Sequence, residues 1–473
     1  MLSRDLVVAI EAIAGKENVS AEPDELSAYF ASDVKPELVL VTPTEAEQIQ
    51  ELVRFANVHK ASIYTVRDKY CPEDIAKQDG ILLDTKKMNQ VHEVDSLNLL
   101  ATIGPGVTFP ELIREVKRID DTLKVALPVA ADSPYVLANY MRRNATAISP
   151  TLRGRTIMVS NYHVVLPETG EIFKSGSHSI SEQDHIPDWP GTGGTAASIA
   201  FYGMEDALGI PIKSVIWVFP VQECRRKLTI GFPDVSKAKE FMREHCRKGR
   251  YIEAYAANST FLSVILAKEK EGLDIEKAKK SLPPWTVVGS LEGSEELVNV
   301  TRDILLEAAA EIGGKEVPSS NKYFKSLAST LERPWYVWDR DQYLGASRII
   351  PFYSLFRRSA EFDDLFNKAA KKAKYPEENI GQLLVPMKQA RSLYCEYDMY
   401  FEPGEEKKFD KFYNSSYEGL VKAGAFVDRP QGNVAEYIYS QNKPVWELQK
   451  GIKKNLDPAG VLNPDQPIAQ EAL

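Results

Sequence analysis

Cysteine is scarce in this chain: four in 473 residues (Cys71, Cys224, Cys246 and Cys395), none of them in a Cys-x-x-Cys pair. That scatter argues against a disulfide framework and against an iron–sulfur cluster carried by this chain alone. Histidine is nearly as sparse. The six (His59, His92, His163, His178, His185 and His245) all precede residue 246, and no two stand at metal-ligand spacing, so no metal centre is expected. No apolar run approaches membrane-spanning length, and the opening Met1-Leu-Ser-Arg-Asp-Leu lacks a secretory pattern. A reducing, cytoplasmic setting without a membrane span is therefore expected. A basic excess is missing too. With 58 basic against 67 acidic residues and a net charge of −9, the chain offers nucleic acid no electrostatic footprint.

What is present reads as strands alternating with helices in a chain long enough for two or three domains. Residues 1–33 read as helical around a polar linker at 16–25. Leu38-Val-Leu-Val-Thr-Pro-Thr reads as a buried strand leading into a helix through His59, with Thr44 as cap and Glu47 closing a capping box. A strand over 62–66 follows. Residues 81–83, 91–94 and 99–103 read as three more, with a polar break at 86–89. Gly104-Pro-Gly-Val-Thr then turns into a helix whose Leu112, Ile113 and Val116 recur at helical spacing. Two glycines around a proline let backbone approach a ligand closely, and the amides after them can face a phosphate. Gly191-Thr-Gly-Gly, ahead of an apolar helix at Ala196, is either a second anion loop or a plain small-residue helix start. Residues 158–176 alternate as a hairpin around Pro167-Glu-Thr-Gly. Farther on, 228–230, 261–266 and 285–290 read as strands, 235–246 as a helix, and Glu292-Gly-Ser opens a long amphipathic helix.

Several of these segments stand in a familiar order. Gly80-Ile-Leu-Leu-Asp, Met88-Asn, Val91 and Asp95, followed by Pro105-Gly-Val-Thr, resemble the FAD-binding domain of the vanillyl-alcohol oxidase / p-cresol methylhydroxylase superfamily. The strand–Pro43-Thr44–helix unit, the hairpin, the Leu208-Gly-Ile-Pro-Ile-Lys strand and Leu456-Asp-Pro-Ala-Gly-Val-Leu-Asn-Pro are similar to its other elements. The resemblance covers residues 36–220 and 445–466. It implies an α+β fold: a two-part FAD-binding domain of the p-cresol methylhydroxylase type with an inserted α/β cap domain. The first part would span 1–220, the cap 221–430, and 431–473 would return to the FAD domain.

The resemblance further implies FAD as cofactor, contacted by Pro105, Gly106 and Val107, by Gly209 and Ile210, and by the loop Arg67, Asp68, Lys69, Tyr70 and Cys71. Relatives place two or three glycines in that loop to hold the pyrophosphate. Here no glycine stands between Ile63 and Gly80, and Arg67 and Lys69 become the candidate phosphate partners. The implied activity is hydride transfer from an alcohol, phenolic or hydroxy-acid substrate to flavin. A small-molecule substrate, an electron acceptor or complex subunit, and a homo- or hetero-oligomer are the expected partners. The His-x-His segment of the lactate and glycolate branch is absent. The phenol-oxidising branch holds a phenolate with arginine and tyrosine, for which Arg391 and Tyr397, at even separation on one cap strand, and Tyr437 are the candidates. The alternative is a degenerate, noncatalytic subunit that keeps this fold, with or without FAD.

Overall fold

The computed structural model describes residues 4–29, 37–66, 79–128, 131, 133–142, 148–150, 159–179, 201, 206–269, 272–336, 339–340, 343–428, 430 and 432–464. The first sheet holds β1 (Val19–Ser20), β2 (Leu38–Val41), β3 (Ser62–Thr65) and β4 (Gly80–Leu83) in the order β1-β2-β4-β3. The central β4 runs parallel to β2 and β3, while β1 is an antiparallel edge. Every residue of β2, β3 and β4 is buried, as expected of parallel strands covered on both faces. Val39, Ile63 and Ile81 pack on Ile49, Leu52 and Val53 of the helix Ala46–His59. That helix begins later than its sequence suggests. Glu45 is the N-cap, and Gln48, not Glu47, closes the box: its Oε1 accepts from the Thr44 and Glu45 amides at 2.7 and 3.2 Å.

The second sheet is antiparallel. It comprises β5 (Val91–Asp95), β6 (Leu100–Ile103) and, after the short β7 (Leu123–Lys124), β8 (Val159–Val165), β9 (Ile172–Lys174) and β10 (Ile210–Trp217), in the order β5-β6-β10-β8-β9. β11 (Phe219–Pro220) pairs with β7 where the chain leaves this region.

The segment expected as the cap holds one antiparallel sheet of β12 (Cys224–Phe232), β13 (Glu253–Asn258), β14 (Trp285–Gly293), β15 (Lys315–Glu316), β16 (Ala346–Ser354), β17 (Ile380–Met387) and β18 (Ser392–Phe401). Its order is β15-β12-β14-β13-β17-β18-β16. Alternation along β18 separates two faces. Leu393, Cys395, Tyr397, Met399 and Phe401 share a core with Phe362, Phe366, Phe409 and Phe412 of two covering helices. Tyr394, on the other face, shares a core with Ile103, Leu127 and Leu137 of the first part of the chain. One expected strand is a helix: residues 261–266 lie within Ser259–Glu269. Asn258 Oδ1 accepts from the Phe261 amide at 2.9 Å, starting the helix. Its apolar residues are buried on every side, so their sequence carries no strand-or-helix period.

The chain end returns to the first sheet. After the helix Lys443–Leu456, Leu462 forms a parallel bridge with Ile63, and Val461 and Leu462 join the core of that sheet.

Candidate functional site

A cleft opens between the two sheets of the FAD-binding part, where β3 and β4 end and β10 begins. Thr65, Val66, Leu83, Pro105, Asp206 and Ile210 line it. Ligands of parallel α/β sheets bind at such carboxyl ends of strands. The cleft thus brings Pro105 and Ile210 together across two sheets. Gly209 is buried beside them, where an added Cβ would meet the Phe201 ring and the Val165 carbonyl, each at 3.2 Å.

The Gly-Pro-Gly turn serves another purpose than the expected amide nest. The Gly104 amide donates to Gln90 O at 2.9 Å, Gly106 to Met88 O at 3.0 Å, and Val107 to Gly104 O at 3.3 Å. Those donors are committed within the chain. What requires glycine here is close packing: a Cβ on Gly106 would stand 2.2 Å from Thr85 O, and one on Gly104 2.3 Å from Met88 O. Pro105 alone of the three lines the cleft.

Below the turn, the buried Asp84 gathers three donors. Its Oδ1 accepts from Tyr135 Oη at 2.8 Å and the Lys86 amide at 3.0 Å, and its Oδ2 accepts from Tyr29 Oη at 2.7 Å. Burial, with the neighbouring Asp84 charge, raises the Tyr29 hydroxyl above its usual pKa and keeps it a donor. Lys86, half exposed, donates to Tyr29 Oη at 2.8 Å, and its Nζ lies 3.7 Å from Asp84 Oδ2. Were FAD to occupy the cleft, the Thr65 and Thr85 hydroxyls and the Asp206 carboxylate would be the polar groups on its walls. Arg67, Asp68, Lys69, Tyr70 and Cys71 lie outside the described residues.

On the face of β18 that carries Tyr394, Arg340 is fully buried between two carboxylates: Nη2 is 2.6 Å from Glu396 Oε2 and Nη1 is 3.0 Å from Asp398 Oδ1. Tyr394 Oη donates to Glu396, and Tyr400 Oη donates to Asp398 Oδ2 at 3.0 Å. The guanidinium lies 5.2 Å over the Phe261 ring, which sits edge-on to Trp335; the Trp335 carbonyl accepts from the Ala131 amide of the FAD-binding part. Burial raises Asp398 to about 7, and the adjacent Glu396 reinforces the shift while Arg340 opposes it.

The expected trio Arg391, Tyr397 and Tyr437 is not assembled. Arg391 is exposed in the turn before β18, where Lys388, Gln389 and Ala390 take the left-handed conformation, so it is not a strand residue. Tyr397 points to the helix-covered face, stacks on Phe366 and donates to Asp363 Oδ1 at 2.7 Å. Tyr437 is half-buried on the helix Gly432–Gln441 with Lys422 over its ring. The alternation Tyr394-x-Glu396-x-Asp398-x-Tyr400 was the signal for the charged face, one register away from the residues singled out.

Residues 37–176 match the family model of the FAD binding domain. Over 510 residues the chain is 23% identical to the 4-cresol dehydrogenase (hydroxylating) flavoprotein subunit of Pseudomonas putida, covering 97% of this chain and 94% of that protein. It is 24% identical to a D-lactate dehydrogenase of Archaeoglobus fulgidus over 465 residues, 94% of each chain. The fold superimposes on p-cresol methylhydroxylase with substrate bound at a TM-score of 0.80, with 21% identity and coverage of 98% and 96%. For 4-ethylphenol oxidase from Gulosibacter chungangensis the TM-score is 0.80, with 17% identity and coverage of 97% and 96%. Residues 37–176 thus form an FAD binding domain, the whole chain is a distant homologue of the p-cresol methylhydroxylase flavoprotein subunit and shares its fold, and the cofactor is FAD.

Proposed function

We propose that this chain is an FAD-dependent oxidoreductase that transfers a hydride from an alcohol, phenolic or hydroxy-acid substrate to flavin, as a subunit that passes electrons to a partner. The observation that carries this reading is the Arg340–Glu396–Asp398 cluster, on the face of β18 whose Tyr394 packs against the first part of the chain. Oxidising a hydroxyl-bearing carbon requires a group that takes the hydroxyl proton and a positive charge that steadies the developing anion. Asp398, raised to about 7, exchanges its proton near neutrality. Arg340 supplies the charge, and its Nε is buried without a hydrogen-bond partner among the described residues. Tyr394 and Tyr400 orient the two carboxylates. Thr65, Asp206, Pro105 and Ile210 would hold FAD, which supplies the hydride acceptor when bound. Partnership with an electron acceptor is supported by the relative that is itself a flavoprotein subunit.

The committed amides of Gly104, Gly106 and Val107 favour a second reading, a noncatalytic subunit that keeps the fold. An absorption spectrum of the purified chain should show flavin bands near ~370 and ~450 nm, a direct readout of the cofactor. Those bands should bleach anaerobically with 4-cresol, glycolate or D-lactate, the compounds named for its relatives. Asp398→Asn should keep the bands and lose the bleaching. Flavin that none of these compounds reduces would favour the second reading.

A further inference from the structure

The C-terminal segment reaches the FAD cleft through one residue. Asn463 is fully buried and takes a left-handed backbone conformation with φ 43°. Its amide donates to Ile63 O at 2.8 Å. Its side-chain Oδ1 accepts from the Thr65 amide at 3.1 Å, and Nδ2 donates to Thr65 Oγ1 and to Asp206 O, both at 3.2 Å. Thr65 Oγ1 also donates to Asp206 Oδ2 at 3.3 Å.

Thr65 ends β3 of the first sheet, and Asp206 leads into β10 of the second. Both line the cleft. One carboxamide therefore ties the two walls together. Behind it, Lys453 Nζ donates to Ala207 O at 2.7 Å, Leu462 O at 2.6 Å and Asp457 Oδ2 at 2.5 Å. Asp457 in turn accepts from the Val461 and Leu462 amides, both at 3.0 Å. The segment is thus fixed at both ends of its reach. It stands at the root of the loop in which this sequence has no glycine.

Resting on the FAD assignment, we propose that Asn463 is a positioning residue for FAD, helping to set the separation of the two cleft walls. The docked chain end adds bonds to both walls, beside the direct Thr65–Asp206 bond and the apolar core that the two sheets share. FAD affinity is therefore coupled to the docking of residues 453–463.

Asn463→Gly isolates the side chain, because glycine keeps the left-handed backbone. FAD would be titrated into the apoproteins, read by quenching of flavin fluorescence, beside Ile10→Ala, a cavity in the same core remote from the cleft. Asn463→Gly should weaken FAD by about tenfold or more, the scale of losing buried hydrogen bonds, while Ile10→Ala lowers the thermal midpoint and leaves affinity within twofold. Thr65→Val should reproduce the loss, and Thr65→Ser, which keeps the hydroxyl, should not. Wild-type affinity in Asn463→Gly, or equal weakening in Ile10→Ala, overturns the proposal while leaving FAD as cofactor. A wild-type chain that takes up no FAD overturns both.

Discussion

In the FAD cleft, polar groups on two sheets are joined by neutral hydrogen bonds from a distant chain end: Asn463 to Thr65 and to Asp206. In the cap, the Arg340 guanidinium lies between the carboxyl groups of Glu396 and Asp398 with no exposure to water. A neutral cross-link lost from the cleft leaves uncharged groups, which cost less to strand than a charge. A charge lost from the cap leaves its counter-ions stranded where water does not reach. The cleft walls are thus held by neutral hydrogen bonds, and the cap cluster by buried charge.

The most severe break of this contrast is Arg340→Met. It leaves two buried carboxylates without their counter-ion and should cost about 3–5 kcal/mol in chemical denaturation. Arg391→Ala, in an exposed turn, should stay within about 0.5 kcal/mol. Comparable losses for the two would show that the cluster is hydrated. The cluster should also appear in the pH dependence of stability. Asp398 moves from 3.8 to about 7 on folding, so the folded chain holds that proton more tightly than the unfolded one. Stability should fall as pH rises from 3.8 to about 7 and level off above. Asp398→Asn should flatten that limb, as followed by thermal midpoints across buffers.

On the cleft side, Gly106→Ala forces a Cβ against the Thr85 carbonyl and should destabilise by about 1–3 kcal/mol, the range for overpacking. Unchanged stability would mean that the turn yields easily. Tyr397→Phe removes the hydrogen bond to Asp363 and should cost about 1 kcal/mol, with flavin content and turnover unchanged, because the ring faces the helices. A loss of turnover at full stability would bring Tyr397 back to the site. The smallest expected effect is a gain. Gly451 sits within the helix Lys443–Leu456 with nothing within 4 Å of an added Cβ. Gly451→Ala should stabilise by about 0.5–1 kcal/mol, and, if the chain end positions FAD, should not weaken its binding.

Contiguous segments were the legible ones. Strands such as Leu38-Val-Leu-Val and Gly80-Ile-Leu-Leu are uniform apolar runs, and the helix after Gly104-Pro-Gly carries its own cap: Thr108 with Glu111. Residues 261–266 were not legible, because a fully buried helix shows no amphipathic period. The cap-side charge was half legible. Period-two alternation places Tyr394, Glu396 and Asp398 on one face and Tyr397 on the other, yet says nothing of which face meets the FAD-binding part.

The sequence by itself determined the family order, the cofactor class, and the glycines at 104 and 106, because local backbone sterics and short-range patterns act within a few residues. Tertiary structure decided the rest. The amides of that turn were committed by Met88 and Gln90 across a neighbouring strand pairing, the sides of β18 were chosen by helices packed from elsewhere, and the cleft was closed by Asn463, which lies 398 residues from Thr65. Each of these is a contact between segments far apart in the chain, whose partners no local pattern specifies.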